Sequence, residues 1–391
     1  MLAFTFPGQG SQQRSMGAPW VDHPSWELVA QVAEATGRDV ARLLLDADDE
    51  ELRRTENAQL ATYTLSLVVH DAVRRAGLRP AVAAGHSLGE YSALTAVGAL
   101  PIRSGASLVA ERGAAMQAAA DARPGTMAAV LGADEDLVDK ACAEAGGDVW
   151  VANCNGAGQV VIAGDAAAIE RAGALAKELG ARKVMPLPVG GAFHTPFMAP
   201  AADRLRAALR VAPWAHHDVP VLANVDAEPH RDHTAWADLL DAQLTSRVRW
   251  RQIVERMVAD GVTTFVELGP GGVLTGVAKR AAKDATAISV GAPDDLAKLA
   301  DLVPNRSDRP SGPVGDGEHL FAVERLVVSP AAGVFEPGEV LAGHTIDAGA
   351  IVGTVAGQEI RSPFRGAVMG LLAVAGERLT RSQPVAWLRT A

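Results

Sequence analysis

The stretch Ala81-Val82-Ala83-Ala84-Gly85-His86-Ser87-Leu88-Gly89-Glu90 decides the reading of this chain. Ala81 to Gly85 is a run of small residues, which predicts a buried strand, and Glu90 to Leu100 predicts a helix stopped at Pro101. Between them, Gly85-His86-Ser87-Leu88-Gly89 fits G-x-S-x-G, a sharp turn that lifts a serine hydroxyl to the carboxyl end of a sheet. Unpaired N–H groups at the start of the helix would then face any oxyanion that forms there. Gly and Ser are common, so the pattern by itself leaves a nucleophile elbow and a plain strand–helix turn equally open. His86, next to the serine, suits support of the turn better than catalysis.

Outward from this point, short strand-like runs alternate with longer helix-like ones, the pattern of a layered α/β protein. Leu2 to Phe6 reads as a strand running into a Gly-rich loop, Pro7-Gly8-Gln9-Gly10-Ser11-Gln12. Parallel sheets gather ligands at the carboxyl ends of their strands, so this loop belongs either beside the elbow or to a ligand-free turn. Asn57 to Arg75 and Ser104 to Ala120 carry helical spacing. From Thr126 to Val189 the order becomes strand (126–131), helix (135–145), hairpin (149–153 and 159–162), helix (166–179) and strand (183–189), a ferredoxin-like βαββαβ pattern inserted in the larger fold. The larger fold resumes with a helix (199–210) and strands at 220–224 and 263–268.

Composition narrows the function. The 391 residues exceed one ordinary core, and 48% apolar with 21% charged residues is the make-up of a globular protein. A net charge of -10 argues against nucleic-acid binding. Two cysteines, Cys142 and Cys154, are too few for a disulfide framework and favour a reducing, cytoplasmic setting. Neither a signal peptide nor an apolar run of membrane-spanning length is expected. Among the ten histidines, His194 in Phe193-His194-Thr195-Pro196 follows a strand and precedes a helix, where a base for a hydroxyl nucleophile is useful. His216-His217 and His230-Arg231-Asp232-His233 lack metal-ligand spacing, and no metal or cofactor is expected. Arg112, in an otherwise apolar helix, is open to two readings: a surface ion-pair partner, or a fixed guanidinium for a substrate carboxylate.

Beyond about residue 300 the character changes. VPNRSDRPSGPVGDG is a linker composition, placed over 301–317. Thereafter Ser329-Pro330-Ala331-Ala332-Gly333 recurs as Ser362-Pro363-Phe364-Arg365-Gly366, an offset of 33. At that offset Gly343 falls on Gly376, Ile346 on Leu379, Val352 on Val385 and Val355 on Leu388, predicting an all-β domain with internal twofold symmetry over 318–391.

Taken together, FPGQGSQ (6–12), NAQLATYTLSL (57–67), GHSLGEYSA (85–93), ERGAAMQ (111–117), NCNGAGQVVIAG (153–164), GAFHTPFMAPAADRL (191–205) and VELGPGGVLTG (266–276) resemble, in order, the malonyl-CoA:acyl carrier protein transacylases and the acyltransferase domains of polyketide synthases. The resemblance resolves the open readings of Ser87 and Arg112. It implies a hydrolase-like α/β core over 1–124 and 189–300, interrupted by a ferredoxin-like subdomain over 125–188. It also implies Ser87 as the acylated nucleophile, His194 as its base and acid, the N–H groups of Gln9 and Leu88 as an oxyanion hole, and Arg112 as the holder of the malonyl carboxylate. Gln59, Met116, Asn155 and His86 fall near the acyl pocket, and the ring of Phe193 would crowd an α-methyl branch, favouring malonyl over methylmalonyl. The family works as a Ser-His dyad, with a backbone carbonyl orienting the histidine, expected near Gly269. Malonyl-CoA and an acyl carrier protein are the implied partners, in fatty-acid or polyketide synthesis. Hydrolysis of carrier-bound acyl groups, a methylmalonyl-selective acyltransferase and a vestigial scaffold are the alternatives. The C-terminal repeat resembles a biotinyl/lipoyl carrier whose modified hairpin would lie near Val355-Ala356-Gly357-Gln358. No lysine follows Lys298, so that domain is expected to lack the prosthetic group and either to dock a protein partner or only to shield surface.

Overall fold

Leu2–Phe6 is short, apolar and buried from Ala3 onward, as a strand covered on both faces must be. In the computed structural model it lies near the middle of a six-stranded sheet ordered Thr286–Val290, Thr264–Leu268, Leu2–Phe6, Val82–Gly85, Val221–Leu222, Pro229–His230. All pairings are parallel except the last, which closes one edge antiparallel. The register sets Phe6 beside Gly85, so the loops that follow these two strands leave the sheet at the same end. The structure describes residues 1–302 and 324–390, which fall into two compact units on either side of residue 305.

Two 21-residue helices, Thr55–Arg75 and Ile102–Ala122, pack against each other beside this sheet, each slightly longer than its periodicity predicts. Seventeen residues of the first are buried, including Gln59, Thr62 and Ser66. The helix expected over Glu90 to Leu100 runs Gly89–Ala96, because Gly98 turns left-handed at φ 85°. Between Thr126 and Pro186 a second sheet, wholly antiparallel, is ordered Val149–Gly156, Gln159–Gly164, Thr126–Leu131, Lys183–Pro186. Its helices, Glu135–Ala145 and Ala166–Glu178, enclose a separate core with Val130, Val138, Ile162 and Ala172 at the centre. The linker expected over 301–317 lies outside the described residues from 303 on; Asp301 and Leu302 close the helical segment Pro293–Leu302.

The second unit contains two four-stranded sheets: Glu324–Val328, Pro384–Arg389, Gly366–Leu371, Thr345–Ile346, and Gln358–Arg361, Ile351–Val355, Gly333–Pro337, Arg378–Leu379. Shifting every number by 33 turns one order into the other. The hydrogen bonds repeat too. Ser329 N–H donates to Gln383 O at 2.8 Å and Ser362 N–H to Ala350 O at 2.9 Å, while Ser329 Oγ donates to Ala331 O and Ser362 Oγ to Phe364 O. Val352, Val355, Val385 and Leu388 are buried in one core. The turn Ala356-Gly357 joins paired residues Val355 and Gln358, with both turn residues at positive φ, as a two-residue hairpin requires.

Because the two serines sit in equivalent places, Ser329→Ala and Ser362→Ala are each expected to weaken this unit by about 1 kcal/mol, the usual worth of a buried hydrogen bond. Hydrogen-exchange protection of the strands Gly333–Pro337 and Gly366–Leu371 reads this out, and a loss confined to one variant would contradict the repeat.

Candidate active site

The elbow is made by close approach. An ideal Cβ on Gly85 would stand 1.9 Å from the Gly89 carbonyl carbon, and one on Gly89 would stand 2.1 Å from Phe6 O. Only glycine lets strand, turn and neighbouring strand pack so tightly. Between them Ser87 takes φ 52°, left-handed for a residue with a side chain. Its N–H donates to Asn224 Oδ1 at 2.7 Å and its carbonyl accepts from Gln243 Nε2 at 2.9 Å, which holds the strained turn.

His194 is buried and also left-handed, at φ 62°. Its Nε2 lies 2.7 Å from Ser87 Oγ, joining residues 107 apart in the chain. Its Nδ1 lies 2.9 Å from the backbone oxygen of Gln243, so Nδ1 carries the proton and Nε2 faces the hydroxyl as acceptor. The expectation of an orienting carbonyl near Gly269 is therefore corrected. Gly269 packs beside Ser66 and Pro7, and its N–H donates to Val290 O. Gln243 ends the helix Trp236–Gln243, and carbonyls in a last helical turn have no intrahelical partner. Burial first, and the Arg112 charge second, push the imidazole down to about 3.

Arg112 is wholly buried. It donates to Gln59 Oε1 at 2.7 Å, Gln243 Oε1 at 2.9 Å and Ser87 Oγ at 3.1 Å, and its guanidinium lies 5.5 Å from the centre of the Tyr91 ring. Among the described residues it forms no ion pair, and burial holds it below the ordinary arginine range. A buried cation with no ion-pair partner is costly. Gln59 Nε2 reaches Met116 Sδ at 3.3 Å, which places both behind the guanidinium.

The N–H groups of Gln9 and Leu88 donate to no group among the described residues, whereas the Ser87 N–H is occupied by Asn224. Gln9 lines a cavity of about 420 Å³ with His86, Asn155, Leu187, Val189 and Trp250. His86 Nε2 meets Asn155 Oδ1 at 2.8 Å and its ring lies 5.6 Å from Trp250, so it supports the cavity wall. Phe193 is buried, its ring edge against Gly191. Ser87, His194, Arg112 and Gln59 thus form one hydrogen-bonded cluster, with Met116 on Gln59; Gln9, His86 and Asn155 line the cavity beside it.

Three residues escaped the motif reading. Asn224 and Gln243 tie the elbow together, and Glu90 accepts from both: Oε1 from Asn224 N–H at 2.9 Å, and Oε2 from the Gln243 amide. Burial pushes the Glu90 carboxyl up to about 8, against the pull of these donors and of nearby Arg112. Gln243 left one trace in the sequence: it continues the buried stripe Trp236, Leu240, Gln243, a polar residue at an apolar position.

Comparison with known proteins identifies relatives of the first unit. Residues 3–304 match the family described as acyl transferase domain. A malonyl CoA-acyl carrier protein transacylase of Bacillus subtilis is 40% identical over 301 residues, covering 75% of this chain and 95% of that protein. The crystal structure of an acyl carrier protein S-malonyltransferase from Vibrio cholerae superposes with TM-score 0.73 at 40% identity, over 76% of this chain and 99% of its own. A malonyl-transacylase in complex with a type II polyketide acyl-carrier protein gives TM-score 0.74 at 36% identity, over 77% and 99%.

Two outcomes test the site as described. Gly85→Ala is expected to destabilise the fold by about 3 kcal/mol or more in denaturant unfolding, since backbone rather than a flexible side chain meets the new methyl; an unchanged midpoint contradicts the close approach. Labelling of Ser87 by a sulfonyl fluoride, read by mass, should keep its neutral-pH rate well below pH 6.5, because a histidine held down stays neutral, and competent as base, until more acid is added. An inflection at 6.5 would show an unperturbed imidazole.

Proposed function

The chain belongs to the acyl transferase family, and from that premise we propose that Ser87 and His194 carry the malonyl group from malonyl-CoA to the phosphopantetheine thiol of an acyl carrier protein. The enzyme is an [acyl-carrier-protein] S-malonyltransferase. The observation that carries the assignment of roles is the buried, unpaired Arg112 guanidinium, 3.1 Å from the nucleophilic oxygen.

In the first half-reaction the Ser87 Oγ–H proton passes to His194 Nε2 as Oγ bonds to the thioester carbon. The carbonyl oxygen becomes an oxyanion, received by the free N–H groups of Gln9 and Leu88. Collapse breaks the carbon–sulfur bond, and the imidazolium returns its proton to the coenzyme A thiolate. The carrier thiol then gives its proton to His194, attacks the acyl-serine carbonyl, and Ser87 leaves with that proton restored. The two half-reactions give ping-pong kinetics. The Gln243 carbonyl steadies the imidazolium in both, helped by the negative end of its helix.

Arg112 explains why the acyl group must be anionic. A carboxylate on the guanidinium pairs the buried charge, whereas acetyl leaves it alone. The same pairing removes the second cause of His194's lowered basicity, so the correct substrate improves its own base. Phe193, buried beside His194, supports preference for malonyl over methylmalonyl as a steric reading. Asn155, His86 and Gln9 line the cavity along which a pantetheine arm would reach Ser87.

We read the antiparallel insertion as a ferredoxin-like subdomain, on the βαββαβ order and its strand arrangement. The C-terminal unit reads as a biotinyl/lipoyl-carrier-like domain whose hairpin tip is Ala356-Gly357 in place of a modifiable lysine. Among the described residues no helix is long and apolar enough to cross a membrane.

Mixing the protein with malonyl-CoA should add one malonyl mass, absent in Ser87→Ala; a persistent adduct in that variant would remove Ser87 as nucleophile. Arg112→Ala should slow malonyl loading on the order of a hundredfold while leaving acetyl loading far less affected, as expected when a charge-assisted contact worth about 3 kcal/mol is lost. Unchanged malonyl preference would place the clamp elsewhere.

A further inference from the structure

Among the described residues of the first unit, Glu90 and Glu267 are the most deeply buried carboxyls, and they are employed differently. Glu267 accepts from the N–H groups of Leu274 and Thr275, capping the helix Val273–Ala281. Glu90, 1% exposed in the first turn of the helix Gly89–Ala96, caps nothing. Both of its oxygens are taken by residues that hold the reacting groups.

We infer that Glu90 is a positioning residue that sets, through the orientation of the Gln243 side-chain amide, the alignment of both Arg112 and His194. This rests on the roles proposed above for Ser87, His194 and Arg112. Glu90 and the Ser87 carbonyl are both acceptors, and both meet Gln243 Nε2. That requirement turns Gln243 Oε1 toward Arg112, which donates to it at 2.9 Å. The backbone carbonyl of the same residue accepts from His194 Nδ1 at 2.9 Å. A flipped amide would aim its NH2 at the guanidinium, donor against donor. The other Glu90 oxygen accepts from the Asn224 N–H, and Asn224 in turn holds the Ser87 N–H and, through Nδ2, the Gly85 carbonyl at 2.8 Å. One carboxyl therefore fixes elbow, base and clamp relative to each other.

Above pH 8, where the Glu90 carboxyl is ionised, Glu90→Gln keeps the volume and offers one acceptor where two are needed, so either Asn224 N–H or the Gln243 amide loses its partner. Single-turnover malonylation, read by intact mass, should slow on the order of ten- to hundredfold, and the malonyl-to-acetyl rate ratio should fall with it. Gln243→Met, which keeps the backbone carbonyl and Glu90, should show the same two losses. In Glu90→Gln/Gln243→Met the losses should fall short of additive, because the arm through Gln243 is common to both while the arm through Asn224 is not. A merely structural carboxyl would lower Tm while leaving rate and ratio unchanged in folded protein, and that outcome overturns the inference; so do additive losses. Should Glu90→Gln fail to fold, Gln243→Met decides alone: wild-type rate and ratio there refute the relay. Ser87→Ala run alongside separates the premises, since malonylation persisting in it refutes the dyad itself and not merely the relay.

Discussion

The contact between Ser87 Oγ and His194 Nε2, 2.7 Å long, is the constraint around which the first unit is organised. A serine hydroxyl is a poor nucleophile at neutral pH unless a base lies within hydrogen-bond reach, and this base comes from the far side of an inserted sheet. Each partner sits at a left-handed backbone position. Strain of this kind persists only where surrounding bonds over-determine it. Here Asn224 and Gln243 hold the serine, while the end of the helix Trp236–Gln243 holds the imidazole.

In the proposed mechanism, electrostatics would give the same site its selectivity. On the roles proposed for Arg112 and His194, the buried guanidinium lowers the basicity of the imidazole beside it, and an anionic acyl group would relieve both the charge and its effect on His194. Binding and activation thus become one event, which is how interactions favour the transition state over a wrongly loaded ground state. Glutamine is suited to the hub between them, since its amide offers an acceptor to the cation and donors to the carboxyl and the backbone.

The C-terminal unit obeys a different logic. A stretch of 33 residues cannot close a β core alone, and two copies related by twofold symmetry bury each other's valines and leucines. Its fold is therefore explained by duplication without reference to catalysis.

How much was legible beforehand follows from which forces are local. Gly85, Ser87 and Gly89 marked a sharp turn, because steric exclusion at a tight turn is written into neighbouring residues, while resemblance was needed to read it as an elbow; the repeat of Ser329 at Ser362 marked the twofold unit locally too. The sequence by itself also singled out Arg112 as a charge within an apolar helix, although resemblance was needed to choose between ion pair and clamp. The tertiary structure alone decided which carbonyl orients His194, placing Gln243 where Gly269 was expected, and it alone revealed Glu90 and Asn224 as partners of the elbow. Hydrogen bonds between residues 49 to 153 positions apart leave no periodicity and no spacing in the chain, because only the sheet order and the end of a distant helix bring donor and acceptor together.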